Sequence, residues 1–183
     1  MQPLTIPFQP SLQNNLVIAE PLQSSHFNAL YAAAADPLIW EQHPNKNRWQ
    51  LPDFEIYFQG AIASGGALLV KDAVTNEIIG CSRYYDYNAE ANNICIGYTF
   101  LVRSHWGSGY NYALKQLMLD HIFPFVHSVR FFIGAFNKRS QISIERFGAL
   151  KTCEEETAYY GESPKLDYVY EITKEKWDNK FLL

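Results

Sequence analysis

The chain has 183 residues, which suits one compact domain, because typical domains hold about 100–200 residues. Hydrophobic residues make up 48% of the sequence and charged residues 19%, a balance that excludes disordered and fibrous proteins. The net charge is -4, from 15 basic and 19 acidic residues, and it argues against a nucleic acid partner. No run of about 18 apolar residues occurs, so we expect no membrane partner and a cytoplasmic location.

Three cysteines, Cys81, Cys95 and Cys153, form no C-x-x-C motif. An odd number without that spacing predicts neither a disulfide framework nor a cysteine-based zinc site. We therefore expect no metal, and we interpret the cysteines as small buried hydrophobic residues of a reducing compartment.

Hydrophobic periodicity divides the chain into a proline-rich arm, residues 1–15, and a single domain, residues 16–183. The apolar spacing changes between 2 and 3.6 residues along the domain, as in alternating strands and helices. The order predicts a mixed sheet with helices on its faces. The predicted elements are strand 16–22, a helix from Ser24 or Ser25 to about 36, a helix from Pro52 to about 65, strands 67–72, 77–87 and 92–102, helix 109–126, strand 130–136, helix 138–147, and strands 149–157 and 166–173.

The segment RSHWGSGYN, residues 103–111, lies between a predicted strand and a predicted helix. A helix start exposes unpaired N–H groups and the positive end of the helix dipole, and glycines let the backbone wrap around an anion. The segment is therefore a candidate phosphate cradle, although an ordinary tight turn explains the glycines equally well. A P-loop is excluded because Gly-Lys-Ser/Thr is absent, and the dinucleotide-binding fingerprint fails at Tyr112.

A second polar helix start, Asn137 to Ser140, follows the next predicted strand. Carboxyl ends of adjacent parallel strands border a crevice in which ligands bind. Asn137 can both donate to and accept from an amide, and the Ser140 hydroxyl can donate a proton nearby. A helix cap and a first-turn serine are the structural alternative.

These two loops and their flanking elements, residues 96–152, resemble the coenzyme A-binding core of the GCN5-related N-acetyltransferase (GNAT) superfamily. Arg103-x-x-x-Gly107-x-Gly109 is similar to the superfamily signature Gln/Arg-x-x-Gly-x-Gly/Ala with one additional residue. Asn137, Ser140 and the glycine of Arg146-Phe147-Gly148-Ala149 resemble the branch of the ribosomal-protein alanine acetyltransferases RimJ and RimL.

The element order extends the resemblance from about Leu16 to Thr173. The implied fold is a single α/β (α+β) domain with a mixed, mostly antiparallel central sheet of about seven strands and about four flanking helices. That sheet is implied to splay between its fourth and fifth strands, and the pantetheine arm would lie in the gap.

The resemblance implies acetyl-CoA as cosubstrate, with pantetheine on the end of strand 92–102 and the diphosphate on backbone N–H groups of the glycine loop. Trp106 and Tyr110 would be packing or lining residues. The residues implied to bind acetyl-CoA are Phe100, Leu101, Val102, Arg103, Trp106, Gly107, Ser108, Gly109, Tyr110, Asn111, Asn137 and Ser140.

The implied reaction is direct attack of a primary amine, on a protein N-terminus or a small molecule, on the acetyl thioester. A strand N–H near Tyr98–Leu101 would stabilise the oxyanion. No covalent enzyme intermediate is needed, so Cys95 is interpreted as a core residue rather than a nucleophile.

The acid and the base are where this sequence departs from the superfamily. Many members have a tyrosine at the position of Ile144, so Ser140 is the candidate acid or a pantetheine contact. Strand 92–102 contains no Asp or Glu, so the base is sought elsewhere. The candidates are Glu41 and His43, with Glu90 or a water chain ending on Tyr84 or Tyr85 as further choices.

The missing tyrosine and carboxylate leave a noncatalytic acyl-CoA-binding module as the alternative function. The aromatic content of 15% is compatible with a homodimer as well as with a filled core. Residues 103–151 carry seven basic and two acidic residues, so we expect positive charge around the cofactor and negative charge where a cationic amine would bind.

Overall fold

The computed structural model describes residues 6–158 and 163–179, and its strands form one eight-stranded sheet in the order β1-β2-β3-β4-β5-β6-β8-β7. The strands are β1 (Leu12–Gln13), β2 (Val17–Pro21), β3 (Ala67–Asp72), β4 (Ile78–Asn88), β5 (Asn93–Leu101), β6 (Ser128–Gly134), β7 (Leu150–Thr157) and β8 (Lys165–Thr173). The helices are α1 (Phe27–Ala34), α2 (Leu51–Ala63), α3 (Tyr110–Ile122), α4 (Lys138–Arg146) and α5 (Lys174–Asn179).

The predicted fold class is confirmed: the molecule is an α/β domain with a mostly antiparallel open sheet. All seven predicted strands and four predicted helices occur, and two short elements, β1 and α5, add to them. The two residues of β1 pair with β2, so part of the predicted arm lies in the sheet. The boundary at residue 15 stays a prediction, and residues 1–5, 159–162 and 180–183 lie outside the described part.

The start of α1 differs from the prediction. Ser24 and Ser25 do not cap it, because they belong to a 3-10 turn that precedes the helix. The turn is closed by Gln23 and His26, with the Gln23 N–H donating to His26 Nδ1 at 3.2 Å. Pro52 does lie in the first turn of α2, as expected for a residue without an N–H.

The sheet has a hydrophobic core on each face. Along β3, Leu68 and Val70 pack toward one face and Ala67 and Leu69 toward the other, as the two-residue period of a strand requires. One core includes α3, whereas the other is built from α1 and α2. Cys81 and Cys95 are buried, but Cys153 is exposed, so its interpretation as a buried residue is wrong.

The splay of the sheet lies between β5 and β6, which are its fourth and fifth predicted strands. These two strands pair in parallel only over Asn93–Cys95 and Ser128–Arg130. Beyond that point β5 stays with β4 as far as Leu101, and β6 stays with β8 as far as Gly134. The divergence leaves two strand edges facing each other across a gap.

Within the part of the chain that the structure describes, no helix is long and apolar enough to cross a membrane. The longest helices, α2 and α3, have 13 residues each, whereas a hydrocarbon core about 30 Å thick needs about 20.

Candidate active site

The gap between β5 and β6 opens into a cavity of about 680 Å³ that reaches the start of α3 at one end and the loop after α1 at the other. Pockets for small molecules commonly have about 300–1,000 Å³. Leu101 and Gly134 border the gap, Gly109 lies at its α3 end, and His43 lies at the opposite end. The cavity therefore joins the two predicted loops into one site.

An irregular step in β5 shapes the wall of the gap. Cys81 of β4 is opposite Phe100, and Arg83 is opposite Gly97, so two residues of β5 face one residue of β4. One of them, Tyr98, has a φ of 51°, which is uncommon for a residue with a side chain. Tyr57 donates to the Tyr98 carbonyl at 2.7 Å and so holds the step in place.

The end of β5 offers fewer backbone groups than predicted. The Val102 N–H donates to the Ile79 carbonyl at 2.8 Å, and the Val102 carbonyl accepts from the His105 N–H at 3.1 Å. Both groups thus have partners within the protein, and the assignment of Val102 to pantetheine binding stays a prediction. Phe100 faces β4 with its backbone, because neighbouring residues of a strand point their polar groups in opposite directions. That alternation leaves the Leu101 N–H toward the gap.

Trp106 closes this end of the gap. Its indole N–H donates to the Leu101 carbonyl at 2.8 Å, and the guanidinium carbon of Arg139 lies 3.9 Å from the centre of its ring. Trp106 therefore lines the cavity and links the glycine loop to the start of α4. The Arg103 side chain points elsewhere, since it pairs with Asp36 at 2.5 Å.

The glycine loop has the backbone of an anion cradle. Gly107 and Gly109 have φ values of 75° and 89°, a region that glycine enters without a steric penalty. No acceptor for the N–H groups of Gly107, Gly109 and Asn111 occurs among residues 6–158 and 163–179. These donors stand at the start of α3, where the helix dipole adds positive potential.

The side chains of Tyr110 and Ser108, two residues of this loop, form hydrogen bonds within the protein. The Tyr110 hydroxyl donates to Asp72 Oδ2 at 2.6 Å, and His105 Nε2 lies 3.2 Å from the same oxygen. Hydrogen bonds from Tyr110 and from the backbone of Thr75 and Val74 lower the pKa of the Asp72 carboxyl. The Ser108 hydroxyl, likewise, donates to the His105 carbonyl at 2.9 Å. Tyr110 is thus a packing residue that fixes the loop to the end of β3.

The start of α4 forms the opposite wall. Asn137 caps the helix by accepting from the Ser140 N–H at 3.2 Å, and both residues line the cavity together with Ile144. The cap occurs alongside cavity contact, so the two interpretations of Asn137 are not exclusive. Asn111 of α3 donates to Ser143 of α4 at 2.8 Å and ties the two walls together.

The predicted bases Glu41 and His43 have different positions. Glu41 is exposed, pairs with Arg139 at 3.4 Å, and is absent from the cavity lining. His43 lines the cavity, and its Nε2 lies 3.2 Å from Arg48 Nη1. Burial and the cations Arg48 and Lys165 hold the pKa of His43 well below its ordinary value. A neutral imidazole is available there, but it is a weak base.

Of the other predicted bases, Glu90 and Tyr84 lie outside the cavity lining, whereas Tyr85 belongs to it. Glu90 lies exposed in the turn between β4 and β5. Tyr84 is buried and donates to the Met118 carbonyl at 2.6 Å, and burial raises its pKa well above the usual value. Tyr85 does line the cavity, with its ring centre 5.1 Å from that of Tyr98.

Lys115 of α3 was not predicted as a site residue, yet it is buried and lines the cavity. Its Nζ donates to Ser82 Oγ at 3.1 Å and to Thr99 Oγ1 at 2.6 Å. Burial lowers its pKa to about 7. The signal in the sequence is its spacing, four residues after Asn111 and three before Met118, which places a lysine on the buried face of a helix.

The electrostatics of the cavity differ from the expectation. Its lining includes Lys115, Arg139 and Arg146 but no aspartate or glutamate among the residues that the structure describes. The positive charge expected around a polyanionic cofactor is present. The negative charge expected at an amine site does not occur in this lining. No group of three or more potential metal ligands is clustered within residues 6–158 and 163–179 either.

Solved structures with the same fold include several acetyltransferases. A GCN5-related N-acetyltransferase from Brucella melitensis aligns with a TM-score of 0.77 and 15% identity, over 95% of this chain and 83% of that one. Mycobacterium smegmatis RimJ, in complex with CoA-disulfide, aligns with a TM-score of 0.70 and 16% identity, over 91% and 87%. Spermidine N-acetyltransferase from Vibrio cholerae, in complex with CoA and spermine, aligns with a TM-score of 0.68 and 15% identity, over 91% of this chain and 100% of that one.

The sequence shows the family to which this chain belongs. The pattern of the acetyltransferase (GNAT) domain matches residues 16–150, so the chain belongs to this family and is an N-acetyltransferase. No curated protein matches the chain. The resemblance to the GNAT superfamily is confirmed, whereas the RimJ/RimL branch stays a prediction.

Proposed function

We propose that this N-acetyltransferase uses acetyl-CoA to acetylate a primary amine by direct attack on the thioester. The observation that carries the proposal is the gap between β5 and β6, which is continuous with the unpaired N–H groups at the start of α3. An extended pantetheine arm can pair with a free strand edge, and a diphosphate can bind the helix start.

The residues present fit each part of that cosubstrate. The N–H groups of Gly107, Gly109 and Asn111 would bind the diphosphate, with Arg146 supplying positive charge from the cavity lining. The Leu101 N–H, which points toward the gap, would bind pantetheine. Asn137 and Ser140 would contact the pantetheine amides or the sulfur from the α4 side.

When bound, acetyl-CoA supplies an acetyl group activated as a thioester. The amine nitrogen would attack the carbonyl carbon, and a strand N–H between Tyr98 and Leu101 would donate to the resulting oxyanion. The C–S bond then breaks, with its electron pair going to sulfur, while the nitrogen loses its proton. The pKa of His43 is held well below its ordinary value, so the imidazolium would form poorly near neutral pH, and we assign the deprotonation to solvent in the cavity.

The acceptor class is proposed on chemical grounds. A protein N-terminus and a small amine are both primary amines, and the neighbours include RimJ and a spermidine N-acetyltransferase. The cavity lining holds Arg139 and Arg146 and no carboxylate among the described residues. This favours an amine of low net positive charge, such as a peptide N-terminus of the kind that the RimJ/RimL branch would acetylate, over a polyamine.

The location and assembly remain part of the proposal. Cys81, Cys95 and Cys153 are all free thiols, which suits the cytoplasm. A homodimer would form through β7, an exposed strand at the edge of the sheet whose outer backbone edge can pair with a second copy.

The test is a thiol-release assay with acetyl-CoA and two matched amine panels, short peptides with free N-termini and polyamines, beside calorimetric titration of acetyl-CoA. We expect turnover with peptides that exceeds turnover with polyamines. Peptides with acetylated N-termini are the control and release no thiol. Binding of acetyl-CoA without turnover of any amine would instead support the noncatalytic acyl-CoA-binding module.

A further inference from the structure

Lys115 is a buried amine inside the gap, and its N–H donors are only partly used. Its side chain is 4% exposed, and its Nζ donates to the hydroxyls of Ser82 and Thr99, which lie 2.7 Å from each other. A protonated lysine has three N–H donors. Two acceptors are present within residues 6–158 and 163–179, so one donor is left for a ligand in the cavity that Lys115 lines.

Burying an ammonium group without a counter-ion costs free energy. A buried ammonium normally needs a carboxylate partner, because desolvation disfavours the charged form. Neither the lining of the cavity nor the hydrogen bonds of Lys115 include an aspartate or glutamate from the described part of the chain. Strongly perturbed ionisable groups in a cleft are candidates for functional residues.

The position of Lys115 matches the reacting end of the cofactor. Thr99, its partner at 2.6 Å, directly follows Tyr98, the positive-φ residue of β5. The stretch from Tyr98 to Leu101 is where the oxyanion donor is proposed. The remaining donor of Lys115 is therefore next to the segment of β5 at which the oxyanion donor is proposed.

We propose that Lys115 is the acid that protonates the coenzyme A thiolate as it leaves, an assignment that rests on the proposed function. As the tetrahedral intermediate collapses, the carbon–sulfur bond breaks and its electron pair goes to sulfur. One N–H proton of the Lys115 ammonium moves to that sulfur, which yields the thiol and a neutral amine. A proton from solvent in the cavity then restores the ammonium.

The acidity of the Lys115 ammonium suits proton transfer to the thiolate. An ordinary thiol has a pKa of about 8.5 and an ordinary lysine a pKa of about 10.4, so an unperturbed lysine would be the wrong donor. Burial lowers the pKa of Lys115 to about 7, which makes the proton transfer to a thiolate favourable. A serine hydroxyl such as that of Ser140 is a much weaker acid.

Other ionisable groups around Lys115 do not replace it. On β4, Cys81 and Tyr84 are buried and their pKa values are raised, so they stay neutral near pH 7. On α4, Arg139 and Arg146 face the cavity as permanent cations. On β5 and β6, the neighbours Thr99 and Phe131 to Gly134 bring no acidic group to the lining.

The experiment compares kcat across pH for the wild type, Lys115→Met and Lys115→Arg, with the most active amine from the panel. Methionine keeps the length and removes the proton, whereas arginine keeps the charge but does not give up a proton near neutral pH. We expect wild-type kcat to fall as pH rises through about 7. Both variants should lose at least about 100-fold in kcat and lack that fall. Lys176→Met, at an exposed position of α5, is the control and retains wild-type kinetics.

The outcomes separate the two proposals. A wild type without turnover of any amine overturns the proposed function. Wild-type turnover combined with an unchanged kcat and pH profile in Lys115→Met overturns only the role of Lys115. Full kcat in Lys115→Arg also overturns proton donation, because charge alone would then suffice. Acetyl-CoA affinity within about threefold of wild type, measured by calorimetry, shows that the variants are folded.

Discussion

The phenol of Tyr57, on α2, donates a hydrogen bond of 2.7 Å to the carbonyl oxygen of Tyr98, on β5. The bond crosses from a helix to the strand that borders the gap, and it holds the one residue of β5 with a positive φ. Burial raises the pKa of Tyr57 well above its usual value, so the hydroxyl stays a donor. The relationship ties the packing of the α1/α2 core to the geometry of the site.

Replacing Tyr57 with phenylalanine should therefore affect stability and turnover together. The Tyr98 carbonyl would lose its donor, at a cost of about 1–3 kcal/mol in the free energy of unfolding. Denaturant unfolding measures the loss, and we expect kcat to fall with it. Tyr87→Phe is the matched control, because Tyr87 is 40% exposed and surface changes usually stay within about 0.5 kcal/mol. Equal stability of the two variants would contradict the prediction.

Gly109→Ala tests the glycine loop. An alanine at a φ of 89° costs about 1–2 kcal/mol, and the strain would shift the backbone N–H groups of the proposed diphosphate cradle. We expect weaker acetyl-CoA binding, by about tenfold or 1.4 kcal/mol, in calorimetric titration. Gly65→Ala serves as the control, since Gly65 has a φ of 62° with no atom within 4 Å of the added carbon. It should lose stability but keep its affinity, and a parallel loss of affinity would refute a local role for Gly109.

Ser140→Ala examines the contact between α4 and the thioester end of the cofactor. The hydroxyl lines the cavity and is expected to orient the sulfur or a pantetheine amide. We expect kcat to fall by about tenfold, or 1.4 kcal/mol in the activation barrier, with a smaller change in acetyl-CoA affinity. Ser25→Ala, exposed before α1, should show neither effect. An unchanged kcat in Ser140→Ala would remove Ser140 from the chemistry.

Glu41 and His43 are expected to be dispensable as bases. Glu41 is outside the cavity lining, and the pKa of His43 is held well below its ordinary value, so we expect neither to take the proton of the amine during turnover. The pH profiles of kcat for Glu41→Gln and His43→Gln should keep the wild-type shape. Disappearance of a limb in either variant would identify that residue as the base.

The ionisation of Lys115 predicts a pH-dependent stability that needs no substrate. Its pKa is about 7 in the folded protein and about 10.4 in an unfolded chain, so between these values the unfolded state binds one more proton. Stability from this group rises by up to about 1.4 kcal/mol per pH unit in that window. Relative to Lys115→Met, the wild type should therefore be more stable at pH 9.5 than at pH 7. A pH-independent difference in unfolding free energy would show that Lys115 is not perturbed.

Much of the fold was accessible from sequence because the periodicity of apolar residues is a local signal. The strand at Ala67–Asp72 was predicted with its observed bounds, and α4 differs by one residue. The strand β1 was missed because its two residues pair only through β2, and α5 because its burial depends on Trp177 reaching Asp120 of α3 at 2.8 Å. Such contacts have no periodic signature.

By itself, the sequence determined the GNAT fold class, the glycine loop at Gly107 and Gly109, and the polar start of α4 at Asn137, because each depends on neighbouring residues and backbone conformation. Only the tertiary structure decided which groups face the gap. In the folded chain the Val102 N–H donates a hydrogen bond to the Ile79 carbonyl. Lys115 donates to Ser82 and Thr99 and lines the cavity. The physical reason is that distant segments supply both the hydrogen-bond partners and the burial. The partners decide which backbone N–H groups face the gap, and burial decides how strongly a lysine holds its proton.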